Sequence, residues 1–291
     1  MLRSKFKGKK LAEIELELSE YTGDDEIILS TEMAEQLKEQ EKNKSIFSFS
    51  TGISHMDRIL DNVEAGELII VTGPTGSGKT SLLMTLTKNM EKNNIASAWF
   101  EFELTMRQFF SKFDFNPPLF YLPKNNVDNK IDWLEERILE SIVKYDVKVV
   151  YIDDLHHLFS LAKMQGNLSF EIGDIIAKLK DIAVYNNLVI FIQAHLKDPQ
   201  DSTTREPKMN DIRDSGLIKA FADTVMGIWR VPNDEFNEKG RRPRIREIEE
   251  TDTKSKVRIW KNRRNGILSS FYLGMKNKFF EDIYDKDGYI Q

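Results

Sequence analysis

The stretch "ELIIVTGPTGSGKTSLL", residues 67–83, decides the fold. "ELIIVTG" is an uninterrupted apolar run of strand length, the signature of a strand buried on both faces rather than of an amphipathic edge. It runs directly into "GPTGSGKT", which satisfies the spacing G-x-x-x-x-G-K-[ST], and a helix is expected from Lys79 to about Met90. Strand, glycine-rich turn and helix in that order let backbone N–H groups converge on a phosphate, and the helix dipole adds to them. The loop residues Gly73, Thr75, Gly76, Ser77, Gly78, Lys79, Thr80 and Ser81 are therefore expected to bind nucleotide phosphates. Lys79 would reach the β- and γ-phosphates, and the Thr80 hydroxyl would ligate Mg²⁺.

Outward from this loop the pattern repeats. "IASAWFEFEL" reads as a second strand, "VDNKIDWLEERILESIVKYD" as a helix and "VKVVYIDDL" as a third strand. "SFEIGDIIAKLKDIAVYNN" reads as another helix, followed by strands "LVIFIQAHL" and "ADTVMGIWR". Apolar strands alternating with amphipathic helices give an α/β fold with a mostly parallel sheet covered on both faces. The end changes character: "KVRIWKN", "SSFYLG" and "KFFEDIY" are short antiparallel strands, with "GMKNK" a hairpin turn. This α/β domain is expected over residues 46–291. Residues 1–45 are highly charged and form an arm whose "STEMAEQLKEQEKN" is a helix capped at Ser30 or Thr31. Its apolar stripe, Met33, Ala34 and Leu37, is too narrow to be buried alone.

Composition narrows the classes. A chain of 291 residues with 40% hydrophobic residues can bury a large core, which excludes global disorder. The absence of cysteine excludes disulfides, thiolate zinc sites and cysteine nucleophiles. No apolar run reaches membrane-spanning length and the basic start lacks a signal-peptide core, so no membrane partner is expected and a soluble, cytoplasmic protein is. Net charge is −5, yet Lys239–Arg264 holds eleven basic and four acidic residues. By composition alone that excess is a solvated face.

Three further carboxyl-end residues join the loop. Asp153 ends "VVYID", where its carboxylate would hold Mg²⁺ directly or through water. Glu101 and Glu103 alternate on one strand face, and Glu103, nearer the strand's carboxyl end, is the expected general base. Gln193 ends "VIFIQ", where its amide can donate to a γ-phosphate; His195 is expected at the start of the following loop.

The order strand–phosphate loop, strand–Glu, strand–Asp, strand–Gln and then "KNRRNG" resembles the RecA-like motor domain of DnaB-type replicative helicases, the hexameric superfamily that includes phage helicase-primases and the mitochondrial Twinkle helicase. "FSTGISHMDRIL" resembles the segment that precedes the family's phosphate loop. "FELTMRQ" resembles S-L-E-M, which implies Glu103 as catalytic base; "IDDLHHL" resembles I-D-Y-L-Q-L, which supports Asp153. "IQAHL" resembles S-Q-L-N-R, implying a phosphate-sensing Gln193, with Ile192, His195 and Leu196 departing from the pattern. "NDIRDSGLIKAFADTVMGIWR" resembles the family's D-L-R-[ED]-S-G…D-A-D segment, which implies single-stranded DNA contacts at Arg213, Asp214 and Gly216. "WKNRRNG" resembles the K-x-R pattern from which one subunit reaches its neighbour's nucleotide, implying Lys261 and Arg263 as trans-acting fingers, with the adjacent Arg264 as the alternative to Arg263 should the alignment be off by one.

The resemblance implies an ATP- and Mg²⁺-dependent homo-hexamer that translocates 5′ to 3′ on single-stranded DNA and unwinds duplex. It places the protein at the nucleoid, or in the host cytoplasm if a phage encodes it. Channel loops near Lys163–Glu171 and Lys197–Gly216 would follow the strand. The arm helix stands where the family's linker helix packs on the next subunit, so the arm is expected to knit the hexamer. A separate primase or helicase loader is a further candidate partner. A RecA/RadA-type or KaiC-like ATPase, a P-loop small-molecule kinase and a DNA-binding subunit with a degenerate ATPase share parts of this pattern.

Overall fold

The central strand of the sheet is β3 (Leu68–Gly73), and every one of its residues is buried. The structure, a computed structural model, describes residues 10, 19, 26–42, 48–125, 131–155, 168–197, 206–213, 215–231 and 254–283. The chain divides into two compact units, 1–46 and 47–291. In the first unit, helix α1 (Ser30–Lys42) exposes its apolar positions, with Met33 and Leu37 each 45% exposed. Met33 N–H bonds the Leu29 carbonyl, so Leu29 holds the cap position, just before the Ser30 or Thr31 cap that sequence favours.

The second unit follows β1 (Ser48–Phe49), α2 (Ser54–Leu60), β2 (Val63–Glu64) and β3 with α3 (Lys79–Lys92), β4 (Ser97–Glu101), α4 (Met106–Ser111) and α5 (Ile131–Tyr145). Then come β5 (Val149–Asp153), α6 (Leu168–Tyr185), β6 (Val189–His195), a 3₁₀ turn (Met209–Asp211), α7 (Ser215–Phe221), β7 (Thr224–Arg230), β8 (Lys254–Asn262), β9 (Ser270–Lys276) and β10 (Phe279–Asp282). The main sheet has the order β10-β9-β8-β7-β3-β6-β5-β4. β7, β3, β6, β5 and β4 run parallel, and β8–β10 extend the sheet antiparallel. The "GMKNK" turn is a two-residue hairpin loop, with Asn277 and Lys278 both at positive φ, 49° and 70°.

Alternation along the strands splits the core into two layers. Ile69, Val71, Trp99, Tyr151 and Phe191 face one side, where Leu82, Leu83 and Leu86 of α3 and Phe109 of α4 cover them. Leu68, Ile70, Phe100, Val150, Ile152, Ile190 and Ile192 face the other, under Leu134 and Ile138 of α5, Ile176 and Leu179 of α6 and Ile218 of α7. Each fully buried side chain of this kind contributes about 1.5–3 kcal/mol, which is why the strands read as apolar without interruption. Two coverings also fix the polar ends: side chains that leave the strands' carboxyl ends emerge together above one edge of the sheet.

Candidate nucleotide site

The phosphate loop begins where β3 passes between β6 and β7. Gly73 has φ 156°, and a Cβ there would lie 2.0 Å from the Ile228 carbonyl oxygen, so β7 packs against bare backbone. Gly78, the N-cap of α3, has φ 101°, and its Cβ would strike the Phe280 ring at 2.8 Å. A substituted side chain is excluded at both positions by space and by torsion. Between them Thr75 and Gly76 are exposed and Ser77 is buried, its Oγ without a hydrogen-bond partner among the described residues. Lys79 folds back over the loop, donating to the carbonyls of Gly73 at 3.0 Å and Pro74 at 3.1 Å. Burial lowers its pKa, which Asp153 and Glu103 partly offset. Ser81 lies in the first turn of α3, where its carbonyl accepts the Thr85 hydroxyl.

β3, β6 and β5 are neighbours, and their register levels the functional side chains: Val71 pairs with Gln193 and Ile152 with Ile192. Thr80 Oγ1 donates to Asp153 Oδ2 at 2.9 Å and lies 3.3 Å from Gln193 Oε1. Gln193 Nε2 reaches Glu103 Oε2 at 3.5 Å. Asp153 is fully buried, and its Oδ1 has no hydrogen-bond partner among the described residues. Burial pushes this carboxyl up to about 7, with Glu103 and Asp154 adding to the shift and Thr80 opposing it. A buried orphan carboxylate oxygen beside a threonine hydroxyl is the donor set that suits a hard, oxygen-preferring cation such as Mg²⁺.

The two glutamates do not share a strand face. β4 ends at Glu101, and Glu103 lies in the turn beyond it, exposed. The reason is local. Glu101 Oε1 accepts the N–H groups of Glu103 at 2.9 Å and Leu104 at 2.7 Å, which bends the chain out of the sheet. A capping box at α4, Thr105 with Gln108, holds the other side of the turn. Burial beside Asp153 pushes Glu101 up to about 9, so it serves as a protonated acceptor that presents Glu103. His195 is the last residue of β6, not the first of a loop, and its Nε2 contacts the buried Asp154 carboxylate. That contact raises the imidazole pKa. Glu103, Asp154 and His195 bring ligand-type atoms within 4.8 Å of one another. Sequence reading left Asp154 and His195 without a role; the paired acids of "IDDL" were the available signal.

The cations of "KNRRNG" sit elsewhere. β7 starts and β8 ends level with the start of β3: Ile69 pairs with Thr224, and Thr224 with Asn262. Lys261 Nζ donates to the carbonyls of Lys219 and Ala222, at 2.5 Å each, and burial lowers its pKa. Arg263 pairs with Asp223 at 3.2 Å and donates to the Ala220 carbonyl at 2.6 Å. Arg264 binds Glu64, Glu67 and the carbonyls of Leu60 and Asn62. β3 is six residues long, so this end lies roughly 17 Å from the phosphate loop along the strand at about 3.3 Å per residue.

Arg213 is exposed, and its N–H bonds the His195 carbonyl at 3.1 Å, which ties this segment to the end of β6. A Cβ on Gly216 would meet nothing within 4 Å. Asp214 lies outside the described residues, as do residues 239–253 of the basic stretch and residues 163–167 and 198–205 of the expected loops.

The family model of the DnaB-like helicase C terminal domain matches residues 48–114 and 122–282, well over half of the chain. The chain belongs to the DnaB-like helicase C-terminal domain family. Within it, the probable replicative DNA helicase of Trieres chinensis is 24% identical over 230 residues, covering 67% of this chain and 50% of that protein. The replicative DNA helicase DnaB of Rickettsia conorii is 23% identical over 245 residues, covering 70% of this chain and 49% of its own length. The chain thus spans about half the length of the curated relatives it matches. A solved DnaB-like replicative helicase, described with its interactions with primase, superposes with a TM-score of 0.68 at 18% identity. That match covers 94% of this chain and 71% of the solved one and supports a RecA-like α/β fold. In this DnaB-family chain, His195, which departs from the family pattern, has Asp154 as its partner. Among the described residues no helix is long and apolar enough to cross a membrane.

Proposed function

We propose that this chain is the motor of a homo-hexameric, ATP- and Mg²⁺-dependent DNA helicase that translocates on single-stranded DNA and unwinds duplex in replication. The observation that carries the reading is a separation. Thr80, Asp153, Gln193 and Glu103 gather above the carboxyl ends of β3, β5 and β6, while Lys261 and Arg263 sit at the opposite end of the sheet. Cations so placed can meet a nucleotide only on another chain, which is how a ring of head-to-tail subunits shares its sites.

In this reading Lys79 leaves the loop carbonyls for the β- and γ-phosphates, which the N–H groups of residues 75–81 cradle. Thr80 and Asp153 would hold Mg²⁺, which when bound neutralises charge on the β- and γ-phosphates. Glu103, presented by protonated Glu101, orients and deprotonates the attacking water. Gln193 and His195 face the γ-phosphate position. Lys261 and Arg263 of the adjacent subunit stabilise the charge that develops there. Arg213 and Gly216, with Asp214, contact the DNA backbone; the Arg213 N–H on the His195 carbonyl gives nucleotide state a direct mechanical link to that segment. The arm helix would join neighbouring subunits through its exposed Met33 and Leu37. The polarity implied by family resemblance is 5′ to 3′, the setting the cytoplasm, and a separate primase or loader the natural partner.

The test is ATP-dependent unwinding of forked duplexes bearing a single 5′ or a single 3′ tail. Wild type is compared with K79A, R263A and an equal mixture of the two. Unwinding from the 5′ tail, loss in each variant and partial ATPase recovery in the mixture are expected. Hydrolysis indifferent to DNA would overturn the helicase reading and favour a small-molecule kinase. DNA-stimulated hydrolysis without unwinding would favour a strand-exchange ATPase.

A further inference from the structure

Asp223 lies between α7 and β7, far from the phosphate loop, with its side chain only 10% exposed. Its Oδ2 accepts the Leu68 N–H at 2.9 Å and the Lys180 ammonium at 2.6 Å. Its Oδ1 accepts Arg263 Nη1 at 3.2 Å. The backbones interlock as well: Asp223 N–H donates to the Leu68 carbonyl and Arg263 N–H to the Asp223 carbonyl, both at 2.9 Å. One carboxylate thus ties the first residue of β3, helix α6 and the arginine at the end of β8.

The geometry at Arg263 is that of a side chain held but not consumed. Of its five N–H groups, Asp223 and the Ala220 carbonyl engage the inner edge, and the side chain stays 49% exposed. A guanidinium on a long stem otherwise samples many rotamers, and a fixed carboxylate selects one of them. Lys261 is held next to it by carbonyls of the same α7 end.

We propose that Asp223 is a positioning residue for the trans-acting arginine: it orients Arg263 of its own chain toward a neighbour's nucleotide and supports hydrolysis in that neighbour's site. This rests on the shared-site reading above. A carboxylate serving only to pin β3 would instead act on the phosphate loop of its own chain, because β3 ends in that loop.

Subunit mixing separates the two. D223N keeps a carbonyl acceptor for the Leu68 N–H and removes the charge that holds Arg263. Alone it should lose kcat for DNA-stimulated hydrolysis by on the order of tenfold to a hundredfold, with the KM for ATP within about twofold. Mixed equally with K79A it should regain about a quarter of the wild-type rate by random assortment of subunits, as R263A mixed with K79A should. Recovery with R263A but not with D223N would overturn the proposal and leave shared sites standing. Failure of both mixtures would overturn the shared-site reading and the proposal with it. A wild-type kcat for D223N also overturns it. Binding of a fluorescent ATP analogue reports that D223N is folded. Should it not fold, D223E, which keeps the charge and moves it by one methylene, carries the same mixture test.

Discussion

Replacing Glu101 by Gln should stabilise this protein, and more so as pH rises. The carboxyl is 2% exposed, and burial beside Asp153 pushes its pKa up to about 9, from 4.5 for a free glutamate. Folding above pH 4.5 must therefore take up a proton at this site. A raised folded-state pKa contributes stability that is fully present below the unfolded value and is lost as pH climbs through the folded one. The accumulated loss, at about 1.36 kcal/mol per pH unit, is on the order of 1 kcal/mol at pH 5 and a few kcal/mol at pH 7. Glutamine does not titrate, and its carbonyl can accept the same two N–H groups, from Glu103 and Leu104. The stability difference between E101Q and wild type should thus grow by a few kcal/mol between pH 5 and pH 7. Any constant cost of the extra amide N–H groups cancels in that slope. Urea unfolding without nucleotide, followed by the fluorescence of fully buried Trp99 and the other tryptophans, measures it. A difference that stays flat within about 0.5 kcal/mol would mean that Glu101 is ionised in the folded protein, and would refute its reading as a neutral acceptor.

Gly73→Ala should cost about 3 kcal/mol or more, because its Cβ would lie 2.0 Å from the Ile228 carbonyl and drive β7 from β3; thermal unfolding checks it. With the Asp153 carboxyl raised to about 7, Mg²⁺·ATP binding should release a proton from it below that pH and almost none above pH 8. Calorimetry in buffers of different ionisation enthalpy reads the proton count, and a pH-independent count would mean that Asp153 is already ionised or does not hold the cation. Thr105→Ala removes the capping box of α4 and should cost about 1 kcal/mol in urea unfolding.

Much of the fold could be read along the chain. β3, β5 and β6 are buried on both faces, so they advertise themselves as apolar runs, and the loop after β3 announces its chemistry because glycine alone fits at Gly73 and Gly78. Glu103 was harder to place. Alternation puts it on a strand with Glu101, but the Glu101 carboxyl accepting two N–H groups turns the chain, a side-chain-to-backbone competition that periodicity does not register. His195 was assigned to a loop because polar residues end strands in sequence, whereas its pairing opposite Gly73 keeps it in β6.

Sequence by itself determined the phosphate loop, the strand-and-helix order and the chemical kinds gathered at the sheet's carboxyl edge, since those depend on local torsion and on period. Only the tertiary structure decided that Asp153, Gln193 and Thr80 meet, that Asp154 partners His195 and that Asp223 holds Arg263. Those pairs join residues 40 to 113 positions apart, and their meeting follows from strand order. A sequence states what each strand carries; which strand lies beside which is settled by how two faces of one sheet are buried at once.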